Sequence, residues 1–192
     1  MKSFVTATDT QLISVFQEGD NQALEELIRR HKDAIFTTIV FMVRDTHLAE
    51  DLFQESFIKI IDTLRSNRYN EEGKFLSWAL RVAHNLCVDH FRKVKYVHNV
   101  GSDEKNIFEG IGDIGNSADA KIIQTQCHEK VRKMLDYLPE EQKEVIVLRH
   151  FADMSFKEIA YVTNTSINTA LGRMRYALLN LRKLITEKEI VL

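Results

Sequence analysis

The sequence predicts an all-α fold made of two small helical domains, and three observations lead to this prediction. The chain of 192 residues holds only 7 glycines and a single proline, so few residues interrupt helices. Apolar residues recur with the helical period through most of its length. Residues 94–117 lack that period and hold four of the seven glycines, which predicts a flexible interdomain linker. The predicted domains are therefore residues 1–93 and 118–192.

Capping residues and breakers predict where each helix begins and ends. In the first domain Asp9 is predicted to cap a helix that stops at Gly19, and Asp20 a helix that runs to about Val43. A third helix is predicted from Thr46 to the polar break at 66–74, and a fourth from about Phe75 to Lys93. In the second domain they begin at about Ala118, at Pro139, at Phe156 after a Ser155–Glu158 capping box, and after Ser166. Apolar positions from Leu48 to Leu64 predict one buried stripe on the third helix.

The last two predicted helices have the spacing of a helix-turn-helix. A short helix from Phe156 to about Thr163 is followed by a tight turn, in which Asn164 tolerates left-handed geometry, and by a long helix to about Glu187. Ala160 supplies the small residue that the packing of the two helices requires. Their shared core is predicted to contain Ile159, Ile167, Ala170, Met174, Leu178 and Leu181. This motif predicts DNA binding, with a plain helical hairpin as the alternative.

The same spacing predicts which side chains face DNA. The outer face of the long helix would carry Asn168, Gly172, Arg175, Tyr176 and Leu179. An arginine on that face can reach two acceptors on guanine in the major groove. Phosphate contacts, which position a protein without reading sequence, are predicted for Thr169, Arg173, Arg182 and Arg149. Residues 165–185 contain no acid, which favours a DNA-facing helix although the net charge of the chain is −2.

The sequence predicts no enzyme and no cofactor. It contains no P-loop, GxSxG or HExxH motif. His84, Cys87 and His90 are close together on one predicted helix, yet the two histidines diverge by about a third of a turn and no fourth ligand is evident. A helical metal enzyme built on His84 and Cys87 is the alternative from another class. Because Cys87 and Cys127 form no CxxC pair and neither a signal peptide nor a membrane span is found, a cytoplasmic setting is expected.

Three segments resemble the extracytoplasmic-function (ECF) subfamily of sigma-70 type RNA polymerase sigma factors. The promoter-binding sigma-4 domain is similar to LPEEQKEVIVLRHFADMSFKEIA (138–160) followed by TSINTALGRMRYALLNLRKL (165–184). The polymerase-binding segment of sigma-2 is similar to HLAEDLFQESFIKI (47–60), and the promoter-opening segment to FLSWALRVAHNLCVDHFRK (75–93). The chain departs from the family at Asn164, at Ala170 and at Leu171, where the family usually has Gly, Val and a Lys or Arg. Leu171 is therefore expected to act through packing or a thymine methyl contact.

The resemblance implies a recruitment factor that leaves catalysis to the polymerase. The third helix would bind the coiled coil of the polymerase's largest subunit through Asp51, Gln54, Glu55 and Ile58, with a solvated helix face as the alternative. The 75–93 helix would hold the melted −10 strand through Trp78, Arg81, Asn85, Arg92 and Lys93, with core packing as the alternative role of Trp78.

The helix-turn-helix would recognise the −35 element as duplex, and the linker would pass through the RNA-exit path of the polymerase. The implied partners are core RNA polymerase, promoter DNA and an anti-sigma factor. The alternative within DNA binding is a helix-turn-helix activator that does not join polymerase as a subunit.

Overall fold

The computed structural model describes Phe4 and residues 6–70, 72–99 and 134–187. The helices of the first group are α1 (Asp9–Gln17), α2 (Asn21–Val43), α3 (Thr46–Arg65) and α4 (Phe75–Asn99). Those of the second group are α5 (Glu140–His150), α6 (Phe156–Val162) and α7 (Ile167–Glu187). No strand occurs in these residues, and each group packs within itself, which confirms the all-α, two-domain prediction. Most of the predicted linker lies outside the described residues.

Helix caps account for the first boundaries. Thr8, and not Asp9, caps α1 through a capping box with Gln11, in which each side chain accepts the other residue's backbone N–H. Asp20 and Asp45 cap α2 and α3 by accepting backbone N–H groups at the start of each helix, at 2.9 and 3.0 Å. These caps place α2 and α3 where the sequence predicts them.

The core of the first domain forms around α2, which contacts α1, α3 and α4. The large side chains of this core that are at most 1% exposed are Leu12, Leu27, Ile35, Ile39, Ile60, Leu64 and Leu80. On α3 the buried stripe is one-sided, because Ile60 is 1% exposed while Ile58 is 60% exposed. The same helix therefore supports the core and presents a separate outer face.

The second domain is a helix-turn-helix. Ser155 and Glu158 form the predicted capping box of α6, Asn164 has a φ of 52°, and the Ser166 hydroxyl accepts the Thr169 backbone N–H at 3.0 Å. Ala160 is buried where α6 packs on α7. The predicted order of short helix, turn and long helix is confirmed.

Two further details differ from the sequence-based expectations. Helix α4 continues to Asn99 and does not end at Lys93, since residues 94–99 contain no glycine or proline. The predicted places of Ile167 and Leu178 in the core are wrong, because they are 45% and 48% exposed. Helix α7 packs through Ala170 and Ala177, both 0% exposed, and at about 100° per residue Ile167 and Leu178 fall to one side of that narrow contact.

The two domains pack directly on one another. Helix α4 contacts α6, and α2 contacts α5. Phe41 of α2 is 9% exposed and clusters with Val147 and Ala177 of the second domain, and its ring centroid lies 5.1 Å from that of Phe151. The larger buried cluster likewise continues from the first domain into the second, where it includes Ile159. We call this contact region between α2 and α4 on one side and α5 and α6 on the other the domain seam.

The one-sided burial of α3 generates a stability prediction. Ile60→Ala should lower the free energy of unfolding by about 3 kcal/mol, because it leaves a cavity in the core. Ile58→Ala, the matched control on the exposed side, should change it by less than about 0.5 kcal/mol. Urea denaturation followed by circular dichroism measures both, and equal losses for the two variants would contradict the burial of this helix.

Candidate nucleic-acid and protein interfaces

The predicted −35 residues of α7 lie on its accessible side. Asn168, Thr169, Leu171, Arg175 and Tyr176 are exposed, and Gly172 and Arg173 are half-buried. Tyr176 is 62% exposed and Leu171 44% exposed, so both can meet a partner. Apart from its chain neighbours and the backbone of α7 itself, no atom lies within 4 Å of where a Cβ would project from Gly172. The backbone of α7 is therefore open to close approach at this position.

Arg149 is the predicted −35 residue outside α7. It lies in the last turn of α5, where one guanidinium nitrogen donates to the Met154 carbonyl at 2.6 Å. Its guanidinium also lies 5.6 Å from the centre of the Phe156 ring. These contacts brace the loop that leads into α6, and the predicted phosphate contact of Arg149 stays a prediction.

The acidic face of α3, defined by Asp51, Gln54, Glu55 and Ile58, is exposed at all four positions. The spacing i, i+3, i+4 and i+7 brings the four side chains onto one side of the helix. Glu55 pairs with Lys59 at 3.1 Å, and both side chains are about half exposed, so this ion pair contributes little to stability. The face combines the exposed apolar side chain of Ile58 at one end with the carboxylates of Asp51 and Glu55.

The predicted −10 residues of α4 include both exposed and half-buried side chains. Asn85, Arg92 and Lys93 are exposed, whereas Trp78 and Arg81 are half-buried. Four of these residues share one side of the helix, because Arg81, Asn85 and Arg92 follow Trp78 by 3, 7 and 14 positions. Arg92 also pairs with Asp89 at 3.2 Å.

The position of Trp78 is compatible with both roles that the sequence leaves open for it. Its ring centroid lies 4.4 Å from that of Tyr69 and 5.9 Å from that of Phe75. The indole thus packs on the edge of the core while part of it stays accessible. Stacking on a base remains a prediction for its accessible part.

Polar contacts cross the domain seam beside this face of α4. His84 Nε2 lies 2.7 Å from a carboxylate oxygen of Glu144, and the Ser77 hydroxyl donates to Glu158 at 2.9 Å. The Arg81 guanidinium lies 4.3 Å from the centre of the Tyr161 ring, a cation–π contact. Sequence reasoning missed these partners, because each pair joins helices of different domains that are 60 or more positions apart in the chain.

The pKa shifts of His84 and Glu158 in the domain seam follow from the groups around them. Burial alone would lower the pKa of His84, but the hydrogen bond and charge of Glu144 outweigh burial, and its pKa is raised. Burial alone would raise the pKa of Glu158, but hydrogen bonds from Ser155 and Ser77 and the charge of Lys74 outweigh it, so its pKa is lowered. Glu158 is therefore a carboxylate at neutral pH.

A second cluster of charged side chains lies at the other end of the domain seam. Arg44 at the end of α2 pairs with Glu140 at 2.7 Å and approaches Asp136 at 3.7 Å. Lys143 is 2% exposed and lies 3.2 Å from Asp136. Burial and the charge of Arg44 lower the pKa of Lys143, while the carboxylates of Asp136 and Glu140 oppose that shift. These charges come from the two domains, so they also hold the seam together.

The metal alternative finds no support in the described residues. No group of three or more His, Cys, Asp or Glu side chains is arranged there to hold a metal ion. Burial raises the pKa of the Cys87 thiol to about 12, which keeps it protonated, and His84 is engaged by Glu144. Cys127 and His128 lie outside the described residues. Within those residues, no helix combines the length and apolarity that crossing a membrane requires.

Comparison with known proteins identifies both halves of the chain. Residues 27–96 match the family Sigma-70 region 2, and residues 128–179 match the family Sigma-70, region 4. The chain is 27% identical over 179 residues to the ECF RNA polymerase sigma factor SigW of Bacillus subtilis (strain 168), covering 89% of this chain and 93% of SigW. It is 30% identical over 163 residues to the RNA polymerase sigma factor SigV of the same organism, covering 85% of this chain and 91% of SigV.

Two solved structures share the fold. CnrH in complex with the cytosolic domain of CnrY matches with a TM-score of 0.68 and 21% identity, over 93% of this chain and 97% of CnrH. The sigma factor RpoE in complex with the anti-sigma factor NepR from Bartonella quintana matches with a TM-score of 0.65 and 19% identity, over 85% of this chain and 96% of that one.

Two helical domains with an exposed helix-turn-helix define a DNA-binding transcription factor. The matches to both sigma-70 regions and to SigV over most of its length show more: the chain belongs to the ECF subfamily of sigma-70 type RNA polymerase sigma factors. It binds core RNA polymerase and directs promoter-specific initiation through −35 and −10 elements. An activator that acts outside the polymerase is not favoured, because it would not need the region 2 segment that forms α2 to α4.

The His84–Glu144 pair generates a pH prediction. A raised folded pKa means that the stability from this pair is full below about pH 6.5, the ordinary value, and is lost as the pH rises through the folded pKa. His84→Gln should lower stability by on the order of 1 kcal/mol at acidic pH and by progressively less at alkaline pH. Thermal melts across this range measure the difference.

His47→Gln is the control for the pH prediction, because its side chain is 97% exposed. This variant should follow the wild-type melting temperature at every pH. A difference between wild type and His84→Gln that did not change with pH would show that the pair does not titrate in this way.

Proposed function

We propose that this sigma factor uses three separate faces for its three main contacts. The acidic face of α3 would bind core polymerase, the Trp78–Arg92 side of α4 would hold the melted −10 strand, and the outer face of α7 would contact the duplex −35 element. The observation that carries the proposal is the segregation of charge. Exposed acids surround Ile58 on α3, whereas residues 165–185, which form most of α7, contain no acid.

The acidic face has the composition of a protein-binding surface. Ile58 exposes 60% of its surface although it lies on a helix whose other side is deeply buried. An exposed apolar side chain surrounded by carboxylates suits a partner with a matching pocket and basic residues. The resemblance to sigma-2 supports the coiled coil of the polymerase's largest subunit as that partner.

Run-off transcription with purified core polymerase tests this assignment. Asp51→Lys combined with Glu55→Lys should reduce promoter-dependent transcript by at least about tenfold, because like charges would then face the basic coiled coil. The matched control is Glu18→Lys with Glu25→Lys, which makes the same charge change at exposed positions of the first domain. Equal transcription from the two double variants would show that the acidic face is only solvated.

The −35 element would be recognised by α7 lying in the major groove. Arg175 and Asn168 lie on the exposed side, where an arginine and an amide can pair with base edges. Leu171 cannot donate a hydrogen bond, so its proposed contact is with a thymine methyl group. The open backbone at Gly172 would allow close approach. Thr169, Tyr176, Arg173 and Arg149 would complete the surface, with phosphate contacts proposed for Arg173 and Arg149.

Two arginines on α7 separate base recognition from phosphate binding. Arg175→Ala should weaken binding to the preferred −35 sequence by about 1–3 kcal/mol and weaken mismatched sequences less. Arg173→Ala should weaken all sequences alike and make binding less dependent on salt. The measurement is binding of the full chain in polymerase holoenzyme to −35 variants at several salt concentrations. If Arg175→Ala weakened every variant equally, its proposed role would be wrong.

The −10 assignment rests on the chemistry of the α4 side chains. Trp78 offers an accessible part of an aromatic ring, Asn85 an amide, and Arg92 and Lys93 exposed positive charge. Arg81 would add a further phosphate contact once it leaves Tyr161. Together these groups would stabilise an unstacked strand, which a duplex releases only at a cost of a few kcal/mol per base.

The domain bounds, the cellular location and a regulatory partner complete the proposal. We propose domains at 1–93 and 118–192 joined by 94–117, with α4 continuing into the joining segment. The chain would act in the cytoplasm with the polymerase and would perform no catalysis itself. An anti-sigma factor is a proposed partner, because RpoE, a structural neighbour, was solved with the anti-sigma factor NepR.

A further inference from the structure

The seam contacts lie along one edge of the proposed −10 face of α4. Ser77, Arg81 and His84 are spaced i, i+4 and i+7, so they form one line on the helix. Arg81 also belongs to the side that carries Trp78 and Asn85. The second domain therefore contacts the same helix surface that the melted strand would need, and it engages Arg81 directly.

The groups that the second domain presents to α4 have the chemistry of a nucleic-acid strand. Glu158 and Glu144 place carboxylates against Ser77 and His84, at distances of 2.9 and 2.7 Å. The Tyr161 ring lies against the Arg81 guanidinium, as a base would. The charge of Lys74, at the start of α4, also acts on Glu158. Carboxylates in place of phosphates and a ring in place of a base make this face complementary to a DNA-binding surface.

We propose that the second domain docks on α4 as an internal stand-in for the −10 strand, so that closure of the domain seam and binding of that strand exclude each other. This proposal rests on the assignment of α4 to the −10 element. The competing groups are Glu144, Glu158 and Tyr161, and none of them belongs to the proposed −35, −10 or polymerase contacts. The sigma factor would thus carry its own inhibitor of premature strand binding.

The dimensions of the molecule require the seam to open during initiation. A compact chain of this length has a radius of gyration of about 16 Å and is about 40 Å across. Elements centred about 25 base pairs apart are separated by about 85 Å of DNA. The closed arrangement cannot contact both elements at once. Opening of the seam frees Arg81 and the neighbouring side chains at the stage when promoter DNA is engaged.

Binding of the full chain to short, fluorescein-labelled single-stranded DNA of mixed sequence tests the competition by fluorescence anisotropy. Glu144→Gln combined with Glu158→Gln should raise the affinity about fivefold or more, because a larger fraction of molecules is open. Gln at position 158 can still complete the capping box, and circular dichroism checks that helicity is retained. Tyr161→Ala should also raise the affinity, whereas Tyr161→Phe, which keeps the ring, should not.

The control removes the same charge away from the seam. Glu141→Gln combined with Asp153→Asn changes two exposed carboxylates of the second domain, and Asn tolerates the left-handed φ of 49° at position 153. Its affinity for the strand should remain near that of the wild type. We call the Glu144→Gln, Glu158→Gln protein the seam variant. If the control and the seam variant gained the same affinity for the strand, overall charge would explain the effect and the proposal would be overturned.

Arg92→Ala, which lies outside the seam, distinguishes failure of the competition from failure of the −10 assignment. If Arg92→Ala weakens strand binding but the seam variant binds no better than wild type, the competition is wrong and the role of α4 stands. If Arg92→Ala has no effect on strand binding in the wild type or in the seam variant, the strand binds elsewhere. Both the −10 assignment and the competition are then overturned.

Discussion

Burial of one side of α4 is the constraint on which the rest of the structure depends. Ala79, Leu80, Ala83 and Cys87 are all 0% exposed and anchor this helix against α2 and α3. Small residues dominate this side, so the helices approach closely and the register of α4 is determined by packing. With that side buried, Trp78 and Asn85 must point outward and Ser77 and His84 must meet the second domain. A rotation of α4 would disrupt the core, the seam and the proposed DNA face together.

Charge is distributed so that these neighbouring surfaces stay distinct. The acids of α3 face outward near Ile58. In the second domain, Glu140, Glu144 and Glu158 turn inward to Arg44, His84 and Ser77. In the Arg44–Glu140 and His84–Glu144 pairs, a displaced carboxylate would leave the other side chain without its partner. The long helix α7 carries no acid before Glu187. A protein with a net charge of −2 can therefore still present a basic surface to DNA.

Much of the architecture could be predicted because it depends on local signals. The capping box of α6, the left-handed Asn164 and the buried stripe of α3 each involve residues a few positions apart, and all are observed. The predictions were wrong where tertiary packing decides which of several apolar residues on a helix are buried. Ile167 and Leu178 have the right period for the core, but α7 uses Ala170 and Ala177 as its contact, and the larger residues are left exposed. Periodicity predicts which side of a helix is apolar but not which part of that side a short partner helix will cover.

The amino-acid sequence by itself determined the helical class, the helix-turn-helix, the sigma-factor family and the exposed positions of the acidic face, because capping, periodicity and motif spacing are short-range properties. Only the tertiary structure decided that the two domains share a seam. His84 and Glu144, or Arg81 and Tyr161, are far apart in the chain, and each side chain taken alone is compatible with solvent. Their pairing exists because the cores of the two domains bury apolar surface against each other, which brings these polar groups within contact distance.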